Sequence, residues 1–382
     1  MKILFALHVF PDMDGAVYRH YYEMMNQLRA TDDQVHLLTP ADFPVLTRFF
    51  RLLPLFYPIL LAGRLISRAG NYDVIVFHSY CGWLFNFCKR LLSQRPITMT
   101  AFHGLEPLFF QRVAVFAAAQ GRKLSLRFRI FVRLQNWLIK TSCQRSDYLT
   151  CLNSEEEQYL ASHNYQSPNH IVRCPHWVEE QFFIDRDYQQ TPSKILFIGQ
   201  WLYTKGTRFV VDGFSAVATR YPQLRLMLVG IHTATEQVLA DFPAELQSRI
   251  EVYGQIPHKE ISTYYQAADL FLFPSLSEGF SRALLEAMAA GLPIITTAVG
   301  SAPDLLQDRY SAILVPVGDS DGIVRALEEL LADAALRRTL GRQAQEAARQ
   351  FLPQNVIEQY QKIWQQCSNL SLAEDPKCSM LD

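Results

Sequence analysis

Pro274-Ser275-Leu276-Ser277-Glu278-Gly279-Phe280-Ser281-Arg282-Ala283-Leu284-Leu285-Glu286-Ala287-Met288-Ala289-Ala290-Gly291-Leu292-Pro293 is the stretch on which the fold turns. The four apolar residues before it, 270–273, have the length and composition of a strand buried on both faces. A loop with Gly279 follows, and a helical pattern opens at Ser281, a residue type that caps helix starts. Gly291 and Pro293 then stop that helix. Strand, loop and helix in this order make half of a βαβ unit, and such units assemble into a parallel sheet with helices on both faces.

The same rhythm extends outward in both directions. Strand patterns at 194–197, 226–229, 250–252, 270–273, 294–297 and 313–315 form one series. An earlier series lies at 3–9, 35–38, 74–77 and 97–100, continued by 148–152 and 171–174, with helical stretches such as 16–28 between. Lys194-Ile195-Leu196-Phe197 repeats the Lys2-Ile3-Leu4-Phe5 opening, so the series restarts. At 382 residues the chain is long enough for about two domains. The expected fold is α/β, with two Rossmann-like doubly wound domains facing across a cleft. The first spans 1–178, the second 194–350. A linker is placed at 179–193, which is polar and ends in Thr191-Pro192-Ser193. A helix at 351–367, apolar at Val356, Ile357, Tyr360, Ile363 and Trp364, is expected to pack back toward the first domain. The remainder, 368–382, has no period and is read as a mobile tail.

Charge is divided unevenly. Residues 1–180 hold 19 Lys and Arg against 14 Asp and Glu, while 181–382 hold 17 against 23. The net charge of −1 gives no nucleic-acid signature. The seven cysteines are scattered, with no Cys-x-x-Cys pair, and read as reduced thiols of a cytoplasmic protein. The longest uncharged apolar run lies between Arg51 and Arg64 and contains Pro54 and Pro58. It falls short of the roughly 20 residues a spanning helix needs.

The chemistry concentrates in the opening stretch. A helix N-terminus after a parallel strand presents backbone N–H groups and partial positive charge, which suits phosphate. Glu278 before that helix and Glu286 within it flank the phosphate position. Carboxylates only accept hydrogen bonds, so they suit sugar hydroxyls. One phosphate site between two hydroxyl acceptors describes a nucleotide sugar.

Glu278-Gly279-Phe280, seven residues between the two glutamates, Ala287-Met288-Ala289 and Gly291-x-Pro293 together resemble the donor motif of retaining GT-B glycosyltransferases of family four. The resemblance covers most of the chain and is densest over 194–340. It implies that Glu278 contacts the donor sugar near the reacting carbon, that Glu286 binds the ribose, and that Gly279, Phe280 and Ser281 belong to the donor site. Gly199 and Lys205-Gly206 match the family's phosphate-binding segment, with Lys205 neutralising the diphosphate. His103, in Thr100-Ala101-Phe102-His103-Gly104, would approach the donor sugar, and Gly15 matches a glycine of the loop facing donor and acceptor. Gln200 stands where the family commonly has Arg, and Arg208 is the expected substitute. Ser281 and Ser301 stand where glycine is frequent, and Asp304 where Glu is.

The implied activity is retaining transfer of a hexose-type sugar from a UDP- or GDP-sugar to a hydroxyl acceptor, a lipid-linked or polysaccharide-precursor glycan, with no metal and no other cofactor. A GT-B sugar-nucleotide epimerase and a non-catalytic nucleotide- or partner-binding subunit are the alternatives. Asp12-Met13-Asp14 looks like a metal-binding Asp-x-Asp, yet it follows a first strand in a loop before a helix and reads as a loop and cap. His170 and His176 lack metal-ligand spacing and read as structural.

Two stretches lack acids altogether. Residues 43–72 past Asp42 carry Arg48, Arg51, Arg64 and Arg68. Here Asp73 ends the run. Residues 107–146 carry Arg112, Arg122, Lys123, Arg127, Arg129, Arg133, Lys140 and Arg145. Leu126, Ile130, Leu134 and Trp137 share one helical face. Two readings stand: an apolar face packed on the core with a solvated basic side, or an anionic membrane surface to which the enzyme binds peripherally.

Overall fold

The computed structural model describes residues 1–382 except 14, 32, 49–52, 93–94, 120, 122 and 374–382. Asp14, Arg51, Arg122 and residues 374–382 of the expected tail therefore lie outside the described residues, as does the side chain of Arg48. The chain divides into two compact units, Met1–Pro175 with Gln354–Asp382, and His176–Pro353.

The first unit holds strands β1 (Lys2–Ala6), β2 (Gln34–Leu38), β3 (Val74–His78), β4 (Ile97–Ala101), β5 (Tyr148–Cys151) and β6 (Ile171–Arg173). They form one parallel sheet in the order β2-β1-β3-β4-β5-β6. The second holds β7 (Lys194–Ile198), β8 (Arg225–Val229), β9 (Ile250–Tyr253), β10 (Leu270–Phe273), β11 (Ile294–Thr297) and β12 (Ile313–Val315). Its parallel order is β12-β11-β10-β7-β8-β9. Both are α/β sheets of the expected class. The apolar runs that predicted them are buried because helices cover both faces: Ile195, Phe197, Leu226 and Leu228 face one core cluster, Leu196, Ile198, Met227 and Val229 the other.

Strand order fixes where a ligand can go. In the second unit the chain starts at β7, runs outward through β8 and β9, then returns to β10 on the opposite side of β7. The strand order reverses there, and in open α/β sheets ligands bind outside the carboxyl ends of the strands at such a point. In the first unit the corresponding reversal lies between β1 and β3.

The segment read as a linker differs. Residues 179–193 are a strap packed into the second unit. Val178 and Phe182 are fully buried in its core, beside partly buried Phe183 and Ile184. The surrounding polar composition hid this apolar anchor. Arg186 donates to the carbonyls of Tyr265, Ala268 and Ala290, and the Asp269 carboxylate accepts from the amides of Ser193 and Lys194 at 2.7 and 2.9 Å. Burial lowers the Arg186 pKa to about 10, so the guanidinium keeps its charge at neutral pH. Arg186→Ala strands three carbonyl acceptors, and stability should fall by about 2 kcal/mol. The urea midpoint of the full chain measures this; an unchanged midpoint would remove the strap from the fold's support.

The last helix runs Pro353–Ala373. It extends through 368–373, where a tail was expected. Its residues from Gln354 onward belong to the first unit. There Trp364 lies 6.2 Å from the Phe5 ring and Tyr360 donates to the Cys174 carbonyl.

Candidate functional site

The reversal between β7 and β10 brings together residues 73 positions apart. After β7 the chain makes one tight turn, Tyr203–Lys205, ended by Gly206 in the left-handed region at φ 72°. After β10 it runs through Pro274 and Ser275 to Glu278. The loops are zipped: the Leu276 amide donates to the Thr204 carbonyl at 2.8 Å, and the Ser275 hydroxyl to the same carbonyl at 3.1 Å. Thr297, at the end of β11, donates to the Ser275 carbonyl from beneath. On this base Lys205 Nζ meets Glu278 Oε1 at 2.7 Å, and Ser275 Oγ meets the same oxygen at 2.6 Å. The Lys205 ammonium also lies 5.9 Å from the Phe273 ring centre.

The helix start is built as its sequence suggests. Helix Arg282–Ala289 has Ser281 as N-cap, its hydroxyl accepting from the Leu284 amide at 3.2 Å. The Ser281 amide donates to Ser301 Oγ at 3.3 Å, and the Ser301 amide to the Gly279 carbonyl at 2.9 Å. Gly300 makes this possible: at φ 57°, a Cβ there would lie 2.4 Å from the Gly279 carbonyl oxygen. The loop 278–281 is thus held from below at the positive end of the helix dipole, beside the Lys205 ammonium. That combination attracts a phosphate group.

Glu286 lies one helical stretch further on and is nearly buried. Its carboxylate accepts from the Tyr265 hydroxyl at 2.9 Å and meets His258 Nε2 at 3.2 Å, with Arg282 Nε at 4.0 Å. Arg282 also pairs with Glu179 at 3.2 Å. A carboxylate offers about four lone-pair positions, so two protein donors leave capacity for ligand hydroxyls. Ser275, His258, Tyr265 and Arg282 were not singled out from sequence. The Arg282–Glu286 spacing of four was a readable signal; His258 and Tyr265 carry none.

The other expected residues have contacts of their own. Arg208 is 77% exposed and faces Asp212 at 3.7 Å on its own helix. Gln200 is exposed. Gly199 closes β7, its amide donating to the Val229 carbonyl. Phe280 packs edge-on against His176 at 5.1 Å, giving that histidine a structural partner. His170 stacks on Tyr148 and contacts the Asp147 carbonyl at 2.8 Å.

In the first unit, His103 follows β4 and is half-buried. Its ring lies 4.6 Å from His20 and 5.3 Å from His78. At the reversal between β1 and β3, His8 Nδ1 and His78 Nδ1 are 2.9 Å apart, so one ring donates to the other. Burial lowers the His8 pKa to about 4 and holds His78 well below its ordinary value, so both stay neutral at pH 7. Gly15 caps helix Ala16–Arg29 in extended conformation, its amide on the Asp12 carbonyl; a Cβ would come within 3.1 Å of the Asp12 carboxylate.

Comparisons with known proteins agree with this fold. The family model "Glycosyl transferases group 1" matches residues 179–347, and "Glycosyltransferase Family 4" matches 17–182. The chain is 24% identical over 327 residues to N-acetyl-alpha-D-glucosaminyl L-malate synthase of Bacillus anthracis, covering 81% of this chain and 79% of that protein. It is 27% identical over 372 residues to phosphatidyl-myo-inositol mannosyltransferase of Mycobacterium leprae, covering 93% and 94%. Among solved structures, sucrose-phosphate synthase from Thermosynechococcus elongatus superposes with a TM-score of 0.75 at 20% identity, over 96% of this chain and 99% of that one. Anabaena HepE in complex with UDP gives 0.69 at 17% identity, over 96% and 100%. Two parallel six-stranded sheets of this order, and family models that together span most of the sequence, place the chain among the GT-B glycosyltransferases of family four.

Proposed function

We propose that the protein transfers a hexose-type sugar, with retention and without a metal, from a UDP- or GDP-sugar to a hydroxyl on a glycan or lipid-linked acceptor. The observation that carries this reading is the Lys205–Glu278 pair beside a capped helix start. A donor diphosphate would draw Lys205 away from Glu278 and take the helix-start amides. Glu278, released, would accept hydroxyls of the donor sugar, and Glu286 those of the ribose. Gly15, Gly199, Gly279, Phe280 and Ser281 keep their assignment to the donor site, and His103 its assignment to the donor sugar, on the family resemblance. The bond from the anomeric carbon to the diphosphate breaks as the acceptor oxygen bonds to that carbon on the same face. The acceptor proton goes to the departing phosphate oxygen. The protein's part is positioning and stabilising the developing phosphate charge.

We also propose that the enzyme works at the cytoplasmic, anionic surface of a membrane. No helix of the described residues is long and apolar enough to cross one. Support comes from the exposure of the apolar stripe in 107–146: Leu126 is 69% exposed and Trp137 57% exposed. The core-packed alternative is thereby corrected, because the buried side of that helix is formed by Leu138, Ile139, Ser142 and Cys143 instead.

Calorimetric titration with UDP, GDP and ADP tests the donor reading. A uridine or guanosine diphosphate should bind, and EDTA should leave both binding and turnover unchanged. Absence of binding by all three to the folded chain would end the enzymatic reading. Loss of turnover in EDTA would end the metal-independent one. Proton NMR of the product anomer tests retention.

A further inference from the structure

Two helices of the basic stretch, Glu106–Ala119 and Leu126–Arg145, form a hairpin. Large apolar side chains stand in solvent on both arms, Phe109 and Val115 on the first, Ile130, Phe131 and Leu134 on the second. Eleven of the eighteen exposed large hydrophobics among the described residues fall within 43–72 and 107–146. The exposed face continues onto neighbouring helices. Helix Trp83–Cys88 packs between Leu126–Arg145 and Leu53–Ile66, bringing exposed Phe87 and Leu91 alongside, then Phe56, Ile59 and Ile66. Contiguous apolar exposure on this scale marks an interaction surface.

Between the two arms lies a groove of about 490 Å³, within the roughly 300–1,000 Å³ typical of small-molecule sites. Its floor is apolar. Ala114 and Ala118, one turn apart, leave room opposite Phe128 and Val132. Its rim carries Lys123, Arg129 and Arg133. Among the described residues no ion pair holds these three cations. Arg112 is different, since it pairs with Glu155. The hairpin supplies no carboxylate past Glu106.

The chemistry selects the occupant. A hydrocarbon chain matches the floor, and a phosphate matches guanidinium groups, which bind it through paired N–H donors. A free nucleotide or glycan would leave the floor unmatched. A partner helix would fill the groove alone, whereas the apolar exposure spreads over four helices and carries a tryptophan, a residue suited to the interfacial layer of a bilayer. We propose that the hairpin groove takes up one hydrocarbon chain of an anionic phospholipid, with its phosphate held by Lys123, Arg129 and Arg133. This rests on the membrane reading given above and adds a defined lipid site, which fixes one orientation of the first unit on the bilayer.

The test uses the full chain. Sedimentation is measured with vesicles of phosphatidylcholine and of phosphatidylcholine mixed with phosphatidylglycerol. Binding of dodecyl phosphate below its micelle concentration, and of inorganic phosphate, is measured by calorimetry. Wild type should sediment with the anionic vesicles and bind dodecyl phosphate far more tightly than inorganic phosphate. Ala114→Trp fills the groove and leaves the charges. It should weaken dodecyl phosphate binding at least about tenfold, since affinity scales with buried apolar area. The pair Arg129→Glu with Arg133→Glu should lose the anionic vesicles. Unchanged urea midpoints, and unchanged binding of the nucleotide diphosphate that wild type takes, establish that the variants fold. Undiminished dodecyl phosphate binding by Ala114→Trp overturns the groove while the membrane reading stands. Equal affinity for inorganic phosphate also overturns it. Failure of wild type to sediment with anionic vesicles overturns the membrane reading itself. A wild-type dimer in ultracentrifugation that Ala114→Trp dissolves assigns the groove to a second copy and overturns the lipid site.

Discussion

Lys205→Ala should lower turnover at saturating donor by about 10²–10³, equivalent to roughly 3–4 kcal/mol of transition-state stabilisation. The reason lies in when charge appears. As the bond to the anomeric carbon breaks, negative charge grows on the leaving diphosphate, and an ammonium beside it gains interaction energy as the reaction proceeds. An interaction that strengthens in the transition state appears in kcat. A second effect acts on KM. Glu278 is only 10% exposed, and the substitution removes the ammonium that lies 2.7 Å from its carboxylate. With that ammonium gone, the carboxylate's negative charge opposes the incoming diphosphate more strongly. Both effects should be visible, with the kcat loss the larger. Lys205→Arg keeps the charge but not the compact ammonium geometry, and should recover part of the rate. Removing both Lys205 and Glu278 should cost less than the two single losses combined, because each is the other's partner. Turnover of Lys205→Ala close to wild type with donor in excess would show that the pair is a surface ornament and that the diphosphate is neutralised elsewhere.

The parts of this site that could be read from sequence are those tied to regular structure. Buried parallel strands give unbroken apolar runs, so β7 and β10 announced themselves. Lys205 and Glu278 were legible because each lies a few residues past such a run, next to glycine. Glu286 was legible through helical spacing, but its environment was not. Tyr265 and His258 reach it from 21 and 28 residues earlier, and no local pattern encodes that contact. The strap at 179–193 was misjudged because polar residues outnumber the apolar ones around Phe182, although a single buried aromatic anchors it. Helix Leu126–Arg145 teaches a related point. Periodicity shows that a helix has an apolar face, not what covers that face. Here the stripe at Leu126, Ile130, Leu134 and Trp137 looks outward. Arg208 stands at the first turn of its helix, exposed, with Asp212 four residues on at 3.7 Å.

Gly206→Ala should destabilise the second unit and disable the donor site together. Gly206 sits at φ 72°, ψ 27°, between the turn that carries Lys205 and helix Thr207–Ala218. Left-handed backbone costs an L-residue about 1–2 kcal/mol. The larger obstacle is steric. A Cβ at this position would lie 1.8 Å from the Pro274 carbonyl oxygen and 2.7 Å from its carbon. Both are backbone atoms, so no rotamer change relieves the overlap. One of the two loops must move, and the hydrogen bonds joining Thr204 to Ser275 and Leu276 must stretch with it. Lys205 immediately precedes Gly206, so that movement separates it from Glu278. The expected loss is about 3 kcal/mol or more, the range of a strained special position combined with overpacking. It is measured as a lower urea midpoint for the full chain, accompanied by loss of nucleotide binding. Gly63→Ala is the internal control. Gly63 lies in helix Leu53–Ile66, where a Cβ meets nothing within 4 Å, so alanine there should stabilise by roughly 0.5–1 kcal/mol. The contrast separates a glycine required by geometry from one that is merely present. If Gly206→Ala melted like wild type and bound nucleotide normally, the two loops would not be in the contact that brings the lysine to its glutamate, and the donor site built on them would have to be abandoned.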